Sequence, residues 1–178
     1  MMRIVKERTK DMVPGLKCFL DVDDLSGGKG ADQVSSSSVV LVLAAEGYFT
    51  SINCLRELLV AMVRSVPVIA LLDGSLSVAK IRKLLSQAER DLGGKGPWGG
   101  LAKEDSFANQ TLPSARAIFE ALCEVSRPLE WSKVKTYQDT TLRLVVERLL
   151  EVRLTARKMR LANQPKRQLV PRPRKICR

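Results

Sequence analysis

The chain contains no histidine, so whatever chemistry it performs must run on carboxylates. Serine–histidine and cysteine–histidine nucleophile pairs, in which imidazole takes the proton, are excluded. The four cysteines, Cys18, Cys54, Cys123 and Cys177, are scattered with no paired C-x-x-C spacing. A zinc site would need all four thiolates at once, so three read as small core hydrophobes and Cys177 as a tail thiol. Acid–base work then falls to carboxylates. Two groups of them stand out: Asp21, Asp23 and Asp24 after a short apolar run, and Glu57 in the spacing Ser51-x-x-Cys54-x-x-Glu57.

Asp-x-Asp-Asp at a strand end offers hard oxygen ligands of the kind magnesium takes. No partnering threonine and lysine stand at the expected strand ends, and no metal site is expected. Glu57 lies in the first two turns of a helix, where a carboxylate complements the dipole. It is also off the apolar stripe of that helix, so it can face a cleft at the carboxyl ends of the strands, where open α/β sheets bind ligands. Segments 26–30 and 93–100 are rich in glycine, but neither fits G-x-x-x-x-G-K-[ST], and both read as loops. Tyr48-Phe49 offers rings that could stack on a base or nicotinamide, although an apolar residue just before an N-cap more often forms a staple.

The elements that must position these residues follow from periodicity. Residues 1–13 read as an amphipathic helix stopped by Pro14-Gly15, and residues 16–20 as a short edge strand bearing Lys17. Residues 39–43 are continuously apolar and β-branched, the pattern of a strand covered on both faces, and residues 67–72 form another. Ser51 is positioned to cap a helix whose stripe is Leu55, Leu58, Leu59, Met62 and Val63. Ser77 caps a second, with Ile81, Leu84, Leu85, Ala88 and Leu92 aligned. A third spans roughly residues 114–125 with Ile118, Ala121, Leu122 and Val125 on one face. Residues 129–131 are a short last strand, and a helix from about 138 to 154 carries Leu142, Val145, Val146, Leu149 and Leu150. Strands alternating with helices of this length predict a parallel sheet with right-handed crossovers, in a doubly wound, flavodoxin-like α/β architecture.

The net charge of +11 is concentrated at one end. Nine of the 30 lysines and arginines follow Thr155 with no acid among them, leaving 21 bases against 19 acids in the body, a net of +2. Residues 1–155 are therefore expected to form the folded domain, and 156–178 a basic, disordered tail capable of salt-sensitive, non-specific contact with polyanions through 157–178. The longest apolar run, residues 39–45, is too short to span a bilayer, and the N-terminus has no signal-peptide pattern. A cytoplasmic protein is expected, with a weak nuclear address in Pro165-Lys166-Arg167 and the cluster from Pro171 to Lys175.

Three stretches, in order, resemble a TIR (Toll/interleukin-1 receptor-like) domain. Leu16-Lys17-Cys18-Phe19-Leu20-Asp21-Val22-Asp23-Asp24-Leu25 resembles the family's second strand running into its BB loop. Residues 38–57, SVVLVLAAEGYFTSINCLRE, resemble the third strand and the S-x-x-C-x-x-E start of the helix after it. Pro128-Leu129-Glu130-Trp131, with Tyr137-Gln138-Asp139 opening the last helix, looks like the end of the divergent TIR-like domains of protists and algae. The resemblance covers residues 1–154. It departs from the family at the start, where Met1 already stands in what should be the first helix. The implied sheet has four strands, in the family order 2-3-4-5, with the first family strand missing and the edges of residues 16–20 and 39–43 left open. A truncated gene model or isoform, direct pairing of those two strands, or a strand donated by another chain would each account for the gap.

The resemblance implies a signalling module that assembles with other TIR domains or with itself. It places Asp21, Asp23, Asp24 and Leu25 on the BB loop, and Tyr48, Ser51 and Cys54 beside the ligand cleft. Some members of the family cleave NAD+ between nicotinamide and ribose with one glutamate, and Glu57 matches that position, making it the candidate catalytic residue. A carboxylate there would stabilise an oxocarbenium-like ribosyl transition state through charge or a 2′-hydroxyl hydrogen bond. Asn53 stands where the family often has tryptophan. No cofactor is required; NAD+ enters as a substrate. Three functions are thus carried forward: assembly scaffold, NAD+ nucleosidase, and polyanion or nucleic-acid binder through the tail.

Overall fold

The computed structural model describes residues 2–19, 30–92 and 97–162. Its centre is β2 (Val68–Asp73), whose four inner residues are all buried. β1 (Val40–Ala44) pairs with it in parallel from Val40 opposite Val68 to Ala44 opposite Leu72. β3 (Leu129–Trp131) pairs in parallel on the other side, from Leu71 opposite Leu129 to Asp73 opposite Trp131. The order is β1-β2-β3, so both outer strands have one unpaired edge among the described residues.

Side chains alternate across a strand, and two separate cores result. On one face Val42, Ala44, Ala70 and Leu72 meet helices α3 (Ile52–Val63), α4 (Val78–Leu92) and α6 (Ala115–Phe119) through Leu55, Leu58, Leu59, Ile81, Leu85 and Ile118. On the other face Leu71, Leu129 and Trp131 meet Val5 of α1 (Met2–Met12) and Leu142 and Val145 of α7 (Lys135–Ala162), with Leu41 and Leu43 packed alongside. Helices on both faces of a three-stranded parallel sheet bear out the α/β class and are compatible with a flavodoxin-like fold. Each fully buried leucine in these layers is worth roughly 1.5–3 kcal/mol.

The helix ends follow local chemistry. Ser51 accepts a hydrogen bond from the Cys54 N–H and Ser77 from Lys80, so both expected caps are made, and Ser114 accepts from Ala117 in the same way. α3 ends in a Schellman motif: the Val66 N–H reaches the Ala61 carbonyl at 2.8 Å and the Ser65 N–H reaches Met62 at 3.1 Å, with Ser65 at φ 54°. α1 stops at Pro14-Gly15, where Gly15 has φ 80°.

Several expectations are corrected. Residues 16–19 form no strand. The Leu16 N–H turns back to the Val13 carbonyl and Phe19 is 57 % exposed, and the run joins no strand of the sheet among the described residues; Leu20 lies outside them. The sheet accordingly has three strands among the described residues rather than four. Within the expected loop 93–100, α5 (Pro97–Leu101) forms instead. Proline suits the first helical position, and Trp98 and Leu101 enter the core beside Phe107 of a 3-10 turn (Asp105–Phe107). α6 runs on into a π-helical turn (Glu120–Val125), whose extra residue per turn rotates Val125 out to 81 % exposure while Leu122 stays buried. α7 starts earlier than expected and continues past the expected boundary at Thr155 to Ala162, since no proline interrupts it before Pro165. α2 (Gly30–Ser36), a short helix packed on α3, begins at the last residue of the expected loop 26–30.

Candidate functional site

The chain leaves β1 through a 3-10 turn (Glu46–Thr50) and enters α3 at Ser51, and this connection gathers four of the expected site residues at the carboxyl end of β1. Phe49 is fully buried and anchors the turn, with the Tyr48 ring edge-on to it at a centroid distance of 5.3 Å. That holds the half-buried Tyr48 over the first turn of α3, where its hydroxyl donates to the Cys54 carbonyl at 3.3 Å. Burial pushes the phenol well above its ordinary pKa, and Cys54 and Glu57 push it the same way. Tyr48 is therefore a neutral hydrogen-bond donor at physiological pH.

Glu57 sits one turn further along α3, half-buried. Its carboxylate lies against Gly30, the first residue of α2: a methyl group built on Gly30 would overlap it, with Cδ 3.1 Å away. A negative charge at a helix start is favourable, because the first backbone N–H groups point at it. Beside it, Arg56 forks onto Glu104, Nε to Oε2 and Nη2 to Oε1 both at 2.7 Å, and Nη1 donates to Asn53 Oδ1 at 2.6 Å. This pair ties α3 to the segment after α5. Nothing in the sequence pattern pointed to Glu104, because a bidentate partner 48 positions away leaves no local signal.

Ser51, Cys54, Glu57 and Tyr48 are thus brought together. Asp21, Asp23, Asp24 and Leu25 lie outside the described residues. Cys123, on the π-helical turn, is far along the chain from this group, and burial raises its thiol's pKa. Among the described residues, no group of three or more histidine, cysteine, aspartate or glutamate side chains is arranged to hold a metal ion. No described helix is long and apolar enough to cross a membrane.

Two concavities stand out among the described residues. An open depression of about 380 Å³ lies at the carboxyl ends of β2 and β3, lined by Gly74, Ser75, Glu130, Trp131, Ser132 and Lys133. A smaller one of about 160 Å³ lies between the 3-10 turn and α4, lined by Phe49, Leu55, Leu84 and Asp91 among others. Glu57 lines neither.

The remaining feature is the outer edge of β1. The Val40 N–H bonds to the Pro67 carbonyl at 2.9 Å, which fixes the ladder's parity. Val40, Val42 and Ala44 turn their amide groups towards β2, and Leu41 and Leu43 turn theirs outward. The strand, VLVLA, carries no charge, no proline and no bulge, the devices that usually blunt an exposed edge. No protein-family model matches the chain, and no curated protein matches it in sequence.

Proposed function

We propose that this chain is a protein-assembly module of the TIR-like kind its sequence resembles, acting in signal transduction by associating with further copies of itself. The observation that carries the reading is the unblunted edge of β1: outward N–H and C=O groups on a buried-type apolar strand favour pairing with another chain. The near-neutral body supports it, since +2 over residues 1–155 creates little repulsion between copies. Light scattering across a wide concentration range tests it: a mass that rises towards a multiple of the chain's supports assembly, and a constant single-chain mass removes it.

A second reading, NAD+ cleavage, is favoured by the grouping of Tyr48, Ser51, Cys54 and Glu57 at the carboxyl end of β1. In that reaction the Glu57 carboxylate would face the developing positive charge on the ribose. Its packing against Gly30 requires α2 to yield before a ribose could reach it. Nicotinamide release by the folded chain, lost in Glu57→Gln, would support this activity; no release at high protein concentration leaves the scaffold alone. Polyanion contact through 157–178 is a third property, carried by charge, and should vanish with salt.

A further inference from the structure

Resting on the assembly reading, we infer that two copies of this chain join edge to edge, β1 against β1 in antiparallel fashion about a twofold axis at Val42, making one six-stranded sheet. The occupant is a second copy because the edge is complementary to itself. Two outward residues, Leu41 and Leu43, carry donors and acceptors that no described strand pairs. In an antiparallel pairing centred on Val42, Leu41 stands opposite Leu43 of the second copy, and Leu43 opposite its Leu41. Such opposed residues exchange both N–H···O bonds in a hydrogen-bonded pair. The four outward N–H and C=O groups of one strand are satisfied by the same four of the other, with Val42 meeting Val42 as the non-hydrogen-bonded pair between them. Registers centred on Leu41 or Leu43 also match in parity but overlap fewer residues of a five-residue strand.

Side chains agree with this register. Leu41 and Leu43 are only half-buried, on the face where α1 and α7 pack. Pairing sets each against its counterpart and extends that core across the axis, and aliphatic cross-strand pairs add roughly 0.2–1 kcal/mol each. Val5 of α1 belongs to the cluster against which these leucines pack, and α1 carries Met2 at 43 % and Ile4 at 49 % exposure. No residue of β1 is charged, so the twofold axis brings no like charges face to face.

Amide hydrogen exchange of the wild-type chain, resolved by residue at two concentrations, tests this without any substitution. In dilute, single-chain protein the Leu41 and Leu43 amides exchange freely, while the Val42 amide, bonded within the ladder, is protected. At a total concentration about a hundredfold above the dimer's dissociation constant, roughly one chain in fifteen is still single, so Leu41 and Leu43 should slow by about fifteenfold and Val42 should change little. If the protein forms dimers while both amides still exchange freely, the edge pairing is wrong and the assembly reading stands. A chain that stays single at every concentration overturns both.

Discussion

Replacing Gly30 with alanine tests whether Glu57 is held against the start of α2. The added methyl group would collide with the carboxylate, with Cδ 3.1 Å and Cγ 3.4 Å from it. Alanine gains up to about 1 kcal/mol over glycine in a helix, and less at its first residue. Against that, Glu57 must swing away and lose its interaction with the helix start, ~0.3–1 kcal/mol at a surface and up to ~2 kcal/mol when partly buried. Crowding of the packed carboxylate stem adds a cost of about 1 kcal/mol. Gly30→Ala alone should therefore destabilise the fold by about 1 kcal/mol. In a Glu57→Ala background the collision is gone, and the same substitution should stabilise it by about 0.5 kcal/mol through propensity alone. Urea unfolding of the four proteins measures both values and their coupling of about 1.5 kcal/mol. An effect of Gly30→Ala that is equal in the two backgrounds within about 0.5 kcal/mol would refute the contact and free Glu57 for other partners.

Three further outcomes are expected. Tyr48's phenol is raised above its unfolded value of 10.0, so its stabilising contribution is complete below about pH 10 and is lost as pH rises from there through the folded value, because the unfolded chain releases the proton first. Tyr48→Phe should flatten the fall in melting temperature above about pH 10, while costing ~0.5–1.5 kcal/mol at neutral pH for the lost bond to Cys54. Arg56→Lys keeps the charge but loses the fork onto Glu104, and should destabilise by about 1 kcal/mol in chemical denaturation, nearly as much as Arg56→Ala. Ser65→Gly relieves a left-handed backbone at the end of α3 and should raise stability by about 1 kcal/mol, read from the urea midpoint.

The parts of the fold that were legible in the sequence are those with a repeating signal. The stripe Leu55, Leu58, Leu59 reports a helix packed on a sheet, and the caps Ser51 and Ser77 mark where helices begin because their hydroxyls replace missing backbone acceptors. The expected strand 16–20 misled because five residues carry too little periodicity to distinguish a strand from a loop. Val125 fits an ideal helical stripe and leaves it only because a π turn shifts the register, a backbone event with no signature in side-chain spacing. Trp98 was hidden among glycines, and only its size hinted at burial. At the candidate site, Ser51, Cys54 and Glu57 share one helix and so were readable together, while Gly30 and Glu104 reach them from other elements.

The most direct test of the central claim compares the wild-type chain with Leu41→Pro by sedimentation equilibrium. The Leu41 N–H points away from β2, so proline removes a donor that the ladder does not use and caps the edge against a second strand. With both proteins shown to be folded by their unfolding transitions, wild type should reach twice the chain mass while Leu41→Pro remains single under the same conditions. Equal self-association of the two would contradict pairing through β1.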